Sequence, residues 1–139
     1  MNKDFFLYQY EDVINQAFQK GASFKLDVIG SSMSPTLKEG DSVILDKPDN
    51  IKKGDIILYK VSQTNFVMHR VLKVEEPLIV FGDNNIGIEK VNQNTFFAKV
   101  SLINKDSKQI KRNSLKYYNY FIYAKVRRFF RRVKGKLSR

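Results

Sequence analysis

The chain has 139 residues, 42% of them hydrophobic, which is enough for one globular domain with a buried core. It contains no cysteine and one histidine, which excludes disulfides and zinc sites of the Cys/His type, and we expect no metal or other cofactor. The formal net charge is +11, and residues 111–139 hold 11 Lys and Arg without an acid, whereas residues 1–110 are balanced. The composition therefore indicates a neutral body with a cationic tail.

Residues 4–20 are predicted to form an amphipathic helix, within an N-terminal segment that we place at 1–22. Asp4 can cap its start and Gly21 can end it. We expect this helix to pack on the domain, with substrate binding as the alternative, and it is too short to be a DNA-binding domain. Its apolar side chains recur at helical spacing: Phe6, Tyr10, Val13, Ile14 and Ala17.

Residues 23–110 are predicted to form a β-rich core. Short apolar or alternating runs are separated by turn residues, and such spacing indicates a small coiled sheet or barrel-like fold rather than alternating βα units. The fold class is therefore mainly β, with a helix at each end. The predicted strands are Phe24–Ile29, Ser42–Asp46, Asp55–Val61, Phe66–Glu75, Leu78–Phe81 and Thr95–Asn104.

Residues 111–139 form the basic tail, and its helical pattern runs from about 114 to 137. A basic amphipathic helix with aromatic residues is typical of a helix that lies on an anionic membrane surface, which we favour. Docking of its apolar face on the domain is the next alternative, and binding of nucleic acid phosphates is the least favoured. The apolar face consists of Tyr118, Ile122, Val126, Phe129, Phe130, Val133 and Leu137.

The sequence has no run of about 18 to 20 apolar residues, the length needed to span a bilayer. Its first residues also lack the basic and apolar regions of a secretory signal. We therefore expect a cytoplasmic protein, with peripheral membrane attachment through residues 114–137. The oligomeric state is left open.

A cluster of hydroxyl residues lies between two predicted strands, with Gly30 on one side and Pro35 on the other. Glycine permits a left-handed backbone and proline fixes φ, so the cluster would form a stiff corner. Such a corner can present a serine to a peptide carbonyl, and Ser32 is the candidate. The alternative is an ordinary turn built from turn-forming residues.

Three further motifs follow, and together the four resemble the type I signal peptidases, in particular the branch that uses a serine–histidine pair. The resemblance covers residues 27–103, although those enzymes normally carry an N-terminal transmembrane anchor. The self-cleaving repressors of phage and SOS systems share the first motif but use lysine where this chain has His69. In order, the motifs are Ser32-Met33-Ser34-Pro35, Gly54-Asp55, His69-Arg70-Val71 and Gly82-Asp83-Asn84-Asn85.

The resemblance implies that Ser32 is the nucleophile and His69 its general base, a role that suits imidazole at neutral pH. The alternative for His69 is a strand histidine with a satisfied hydrogen bond. Asp83 would orient the imidazole or hold the surrounding loop, or else only cap a turn. Glu89 is the candidate for a second acid, as a weaker prediction.

The Ser32 backbone N–H is expected to stabilise the oxyanion. Some relatives add a hydroxyl two residues earlier, where this chain has Gly30, so either Ser31 or a backbone arrangement would supply the rest. Met33 and Pro35 are expected to shape the turn and one wall of the substrate site.

We therefore expect a serine endopeptidase that cleaves an extended peptide after a small residue, such as a leader or a precursor protein. One alternative is a catalytically silent peptide- or membrane-binding module with the same fold. Another is a fragment of a self-cleaving transcriptional regulator.

Overall fold

A computed structural model describes residues 11–137, which form one antiparallel sheet with a helix at each end of the chain. The helices are α1 (Glu11–Gln19) and α2 (Leu115–Leu137), and a short 3₁₀ turn covers Gln93–Thr95. The strands are β1 (Phe24–Asp27), β2 (Ser42–Asp46), β3 (Ile56–Lys60), β4 (Phe66–Lys73), β5 (Leu78–Phe81), β6 (Glu89–Val91), β7 (Phe96–Lys105) and β8 (Lys108–Lys111).

The strands lie in the order β1-β2-β7-β3-β4-β5-β6, and β8 pairs with the end of β7. Strand β7 is the longest, and it joins the two halves because it pairs with β2 as well as with β3 and β8. Among the described residues no ladder joins β1 to β6, so the sheet is open.

Both faces of the central strands are buried. Because side chains alternate along a strand, Ile56 and Leu58 of β3 face one apolar cluster while Ile57 and Tyr59 face another. The first cluster is the larger and includes Phe18 of α1. Strand β3 pairs with β4 in a register that sets Ile56 opposite Arg70 and Ile57 opposite His69, and a slip by one residue would move each side chain to the other face.

The mainly β class with flanking helices is confirmed. The six predicted strands are all present, with ends that differ by no more than two residues, and two strands were not predicted. Strand β6 has three residues and β8 has two lysines among its four, so neither shows an apolar run. The predicted helix over residues 4–20 is seen from Glu11 to Gln19. Its earlier part, with Phe6 and Tyr10, lies outside the described residues.

Helix α2 packs against the sheet through Tyr117, Phe121 and Ala124, which are all buried. The Tyr117 hydroxyl accepts a hydrogen bond from the Ile56 N–H at 2.9 Å. Burial raises the pKa of Tyr117 to about 12.

The docked face of α2 differs from the predicted apolar face, whose described side chains, from Tyr118 to Val133, are exposed. Docking through that predicted face, as the alternative proposed, is therefore wrong. None of the helices in the described part of the chain has the length and hydropathy to cross a membrane.

Candidate active site

Ser32 lies in a turn between β1 and β2 that begins at Gly30, whose φ of +81° is in the left-handed region that favours glycine. Two backbone bonds hold the turn: the Ser34 N–H donates to the Ser31 carbonyl at 3.1 Å, and the Leu37 N–H donates to the Met33 carbonyl at 2.9 Å. Ser32 itself is half-buried. The predicted stiff corner is thus a series of hydrogen-bonded turns.

A cleft of about 200 Å³ extends from Ser32 between two strand edges. Residues 26–30 form one side and residues 66–68 of β4 form the other, with Leu58 and Leu37 also lining it. Strand β5 pairs with β4 only from Arg70 onward. Within the described residues, the part of β4 before Arg70 therefore has no strand partner on the edge that faces away from β3. An extended peptide could therefore add to these edges by main-chain hydrogen bonds.

His69 lies on β4 with only 5% of its surface exposed. Its Nδ1 atom is 2.9 Å from the Tyr59 hydroxyl, which in turn donates to Glu89 Oε2 at 2.7 Å. A phenol has one proton, and a carboxylate can only accept. Because Tyr59 gives its proton to Glu89, its oxygen must accept from an Nδ1–H. The neutral ring then carries its lone pair on Nε2, the atom that a general base would use.

The strand register brings these three residues together. Ile57 of β3 pairs with His69, so Tyr59 lies diagonally across from the ring on the same face. The Tyr59 and His69 ring centroids are 5.9 Å apart. Glu89 reaches the pair from β6, which pairs with β5. The contact among His69, Tyr59 and Glu89 therefore depends on three strand pairings: β3–β4, β4–β5 and β5–β6.

The pKa of His69 is lowered from its usual value, chiefly because burial disfavours the charged ring, while the charges of Glu89 and Asp83 partly oppose the shift. The pKa of Tyr59 is raised, first by burial and then by its hydrogen bond to Glu89 and the charge of that carboxylate. At neutral pH the ring is therefore an uncharged acceptor and the phenol keeps its proton.

Gly82 lies between the end of β5 and the Ser32 turn. The β4–β5 register, continued one residue beyond the Arg70–Phe81 pair, places Gly82 opposite His69. A Cβ atom at Gly82 would lie 2.6 Å from the Ser32 carbonyl oxygen, so only glycine fits between the strand and the turn. Among the described residues, no hydrogen bond links the Ser32 hydroxyl to the His69 ring.

Asp83 pairs with Arg70 of β4. Its carboxylate receives the Arg70 Nε–H at 3.2 Å and an Nη2–H at 2.6 Å, and it also accepts from the Thr36 hydroxyl. Both side chains of the ion pair are fully buried. Arg70 also donates to the Gly54 carbonyl at 3.0 Å. Of the three roles considered for Asp83, these contacts fit holding the loop.

Asn84 holds the Ser32 turn through two hydrogen bonds. Its N–H donates to the Ser32 carbonyl at 2.9 Å and its side-chain amide donates to the Ser31 carbonyl at 3.1 Å. The Ser32 N–H has no acceptor among the described residues, so it is available to an oxyanion. Ser31 is exposed beside it.

The remaining two predicted residues lie on different sides of the turn. Met33 is buried, lines the cleft and accepts the Asp83 N–H on its sulfur at 3.4 Å. Pro35 lies away from the cleft, in a shallow pocket that it shares with Tyr120 and Tyr123 of α2. Met33 therefore borders the substrate cleft, and Pro35 borders the helix.

Four side chains that hold the site were not predicted as functional from the sequence: Tyr59, Arg70, Thr36 and Asn84. Arg70 and Asn84 belong to the quoted motifs, so their polar side chains next to the candidate residues were the available signal. Tyr59 gave a weaker signal, because a tyrosine in an apolar strand is an ordinary core residue.

A comparison with known protein families shows the family of this chain. Residues 3–101 match the sequence model described as Peptidase S24-like, which includes the Ser32 turn, His69 and Glu89. No curated protein matches the chain at a significant level.

Proposed function

Because the chain belongs to the Peptidase S24-like family, we propose that it is a serine endopeptidase in which Ser32 is the nucleophile and His69 the general base. The observation that carries the proposal is the hydrogen-bonded series from His69 through Tyr59 to Glu89. It sets the tautomer that leaves Nε2 as an acceptor, and it places a carboxylate where a charge on the ring would be stabilised.

The reaction would proceed by an acyl-enzyme. Nε2 of His69 takes the Ser32 proton while the Ser32 oxygen bonds to the scissile carbonyl carbon, whose oxygen becomes an oxyanion facing the Ser32 N–H. The imidazolium holds its Nδ1–H on Tyr59 and gives the Nε2 proton to the leaving amine as the C–N bond breaks. Water, deprotonated by the same nitrogen, then cleaves the ester and restores Ser32.

The cleft favours an extended peptide as substrate. Its two strand edges would bind the peptide as an added strand, and Met33 and Leu37 would contact the side chains before the cut. A cleft of about 200 Å³ suits small side chains there. We infer a leader or precursor peptide as substrate, in the manner of the Ser–His signal peptidases, because His69 stands where the self-cleaving repressors have lysine.

One observation favours a second candidate, a silent peptide-binding module. The Ser32 hydroxyl and the His69 ring share no hydrogen bond among the described residues. Catalytic hydrogen bonds are often long without substrate and tighten in the complex, so a cleavage assay must decide between the two functions.

The experiment is incubation of the full chain with a pool of unstructured peptides, read by mass spectrometry. Ser32→Ala and His69→Ala are compared with Ser107→Ala, which changes an exposed serine in the β7–β8 turn. We expect cleavage after small residues that falls at least about 1,000-fold in the first two variants and is unchanged in the third. The intact mass of the chain, followed at alkaline pH in the same samples, reports self-cleavage.

Cleavage that survives in Ser32→Ala would contradict the proposed nucleophile. Peptide binding without cleavage, measured by fluorescence anisotropy, would favour the silent module. Cutting of the protein's own chain while the peptide pool stays intact would favour the self-cleaving regulator.

A further inference from the structure

Helix α2 carries an exposed row of large apolar side chains, which we name the apolar stripe. Several of its members are more than half exposed, including Phe129 at 60%, Phe130 at 65% and Leu115 at 79%. None of them lines the candidate active site. The apolar stripe consists of Leu115, Tyr118, Ile122, Val126, Phe129, Phe130 and Val133.

The apolar stripe faces away from the domain. At about 100° per residue, its members lie on the side of α2 opposite to the buried Tyr117, Phe121 and Ala124. The docked side is also held by polar contacts. Arg128 donates to the Ile86 carbonyl at 2.8 Å and Arg131 donates to the Asn84 carbonyl at 2.9 Å. The domain therefore holds the helix with its apolar stripe outward.

Cations line both borders of the apolar stripe. The same helical geometry places three Lys or Arg residues along each border of the stripe. Residues 111–139 contain no acid that could neutralise them. The first group is Lys125, Arg132 and Lys136, and the second is Lys116, Arg127 and Lys134.

We propose that this face of α2 binds the surface of an anionic lipid bilayer, with the helix axis in the plane of the interface. The apolar stripe would enter the boundary between headgroups and acyl chains, and the bordering Lys and Arg side chains would extend to the lipid phosphates. From Leu115 to Val133 the stripe is about 27 Å long at about 1.5 Å per residue, which gives an extended contact.

The arrangement of charge and apolar surface selects lipid over the other occupants. Nucleic acid would pair with the cations but would leave three exposed aromatic rings of the stripe against a polar surface. A second copy of the chain would bring its own cations to the same borders, where like charges repel. An anionic bilayer satisfies the cations and the apolar stripe at once.

The same helix contacts the loop that holds the nucleophile turn. Arg131 binds the Asn84 carbonyl, and Asn84 in turn binds the Ser32 carbonyl. A bilayer bound to the outer side of α2 would therefore be separated from this loop by the width of the helix, about 10 Å. Membrane binding itself does not depend on whether Ser32 is a nucleophile.

The experiment is flotation of the full chain with phosphatidylcholine vesicles that contain either no anionic lipid or about one third phosphatidylglycerol. The test variant is Phe129→Ser with Phe130→Ser. The matched control is Val74→Ser, an apolar residue that is 55% exposed in the loop between β4 and β5. Circular dichroism checks that both variants keep the fold.

We expect binding to anionic vesicles at least about tenfold stronger than to neutral ones, weakened at least about tenfold in the test variant and unchanged in the control. Absence of binding to anionic vesicles would overturn the proposal. So would binding that is indifferent to the two phenylalanines, stronger capture by duplex DNA than by vesicles, or a stable dimer in sedimentation without lipid.

Discussion

Neighbouring residues of β4, His69 and Arg70, point to opposite faces of the sheet and have opposite kinds of surroundings. Arg70 is fully buried with its donors satisfied by Asp83, Thr36 and Gly54, and the rings of Tyr117 and Phe121 flank its guanidinium. His69 contacts Tyr59 through Nδ1, and its Nε2 atom has no hydrogen-bond partner among the described residues. A structural ion pair and the proposed base thus lie one residue apart.

The surroundings of Arg70 suggest how the Ser32 turn is held in place. The Arg70–Asp83 pair joins β4 to the loop after β5, and Thr36 and Asn84 join that loop to the Ser32 turn. A buried ion pair is poor evidence of net stabilisation, but it fixes geometry because its loss would leave a buried charge. We infer that one face of β4 positions the turn and that the other supplies the base.

The largest expected effect is on catalysis. His69→Ala removes the proposed base, so cleavage should fall about 1,000- to 10,000-fold. The free energy of unfolding should change much less, because Tyr59 keeps its bond to Glu89. Steady-state cleavage and urea unfolding measure the two effects. A catalytic role would be contradicted if His69→Ala lost cleavage only because the variant was unfolded under the assay conditions.

The next effect is on stability. Arg70→Met leaves the Asp83 carboxylate buried without its cation, which should lower the free energy of unfolding by about 3 to 5 kcal/mol. Urea unfolding measures the change. Lys73→Met, at the exposed end of the same strand, is the control and should change stability by less than about 0.5 kcal/mol. Similar values for the two variants would show that the ion pair does not hold the fold.

A smaller effect is expected at Tyr59. Tyr59→Phe leaves the Nδ1–H of a buried ring without an acceptor and separates it from Glu89, so kcat should fall about 10- to 100-fold with KM little changed. Tyr123→Phe, which alters an exposed ring on α2, is the control. A change in KM alone would assign Tyr59 to substrate binding instead of to positioning the base.

The smallest effects concern pH. Because the pKa of His69 is lowered, the acid limb of the pH–rate profile should lie below the usual histidine value of about 6.5. The unfolded chain takes up that proton near pH 6.5 while the folded chain does not, so stability should decline as pH falls through this value. Denaturation at pH 8 and pH 5.5 checks this, and His69→Gln should show a smaller decline than the parent.

Local sequence patterns were sufficient for most of the fold. The strand from Ser42 to Asp46 and the strand from Leu78 to Phe81 have the predicted ends, because each is an apolar run between turn residues. Helix α2 begins and ends within one residue of its prediction, because its apolar and basic residues recur at helical spacing. Strand alternation also predicts that His69 shares a face with Val67 and Val71, which pack in the same cluster as Ile57, the residue opposite His69.

The remaining features depend on long-range pairing. Glu89 reaches Tyr59 only because the three-residue β6 pairs with β5, and no local pattern marks so short a strand. The docked side of α2 was missed because Tyr117, Phe121 and Ala124 lie opposite the stronger apolar pattern. The sequence favoured Asp83 over Glu89, whereas Glu89 lies 3.8 Å from His69 Nδ1 and Asp83 pairs with Arg70, a pairing that depends on the loop between β5 and β6.

The most direct test of the account is the protonation of the one histidine. Labelling the chain with ¹⁵N-histidine gives the two nitrogens of His69 without interference, since there is no other histidine. At pH 8 we expect a protonated Nδ1 and an unprotonated Nε2, and this pattern should be disturbed in Tyr59→Phe. A proton on Nε2 in the parent protein would contradict the account, because that nitrogen could not then accept the Ser32 proton.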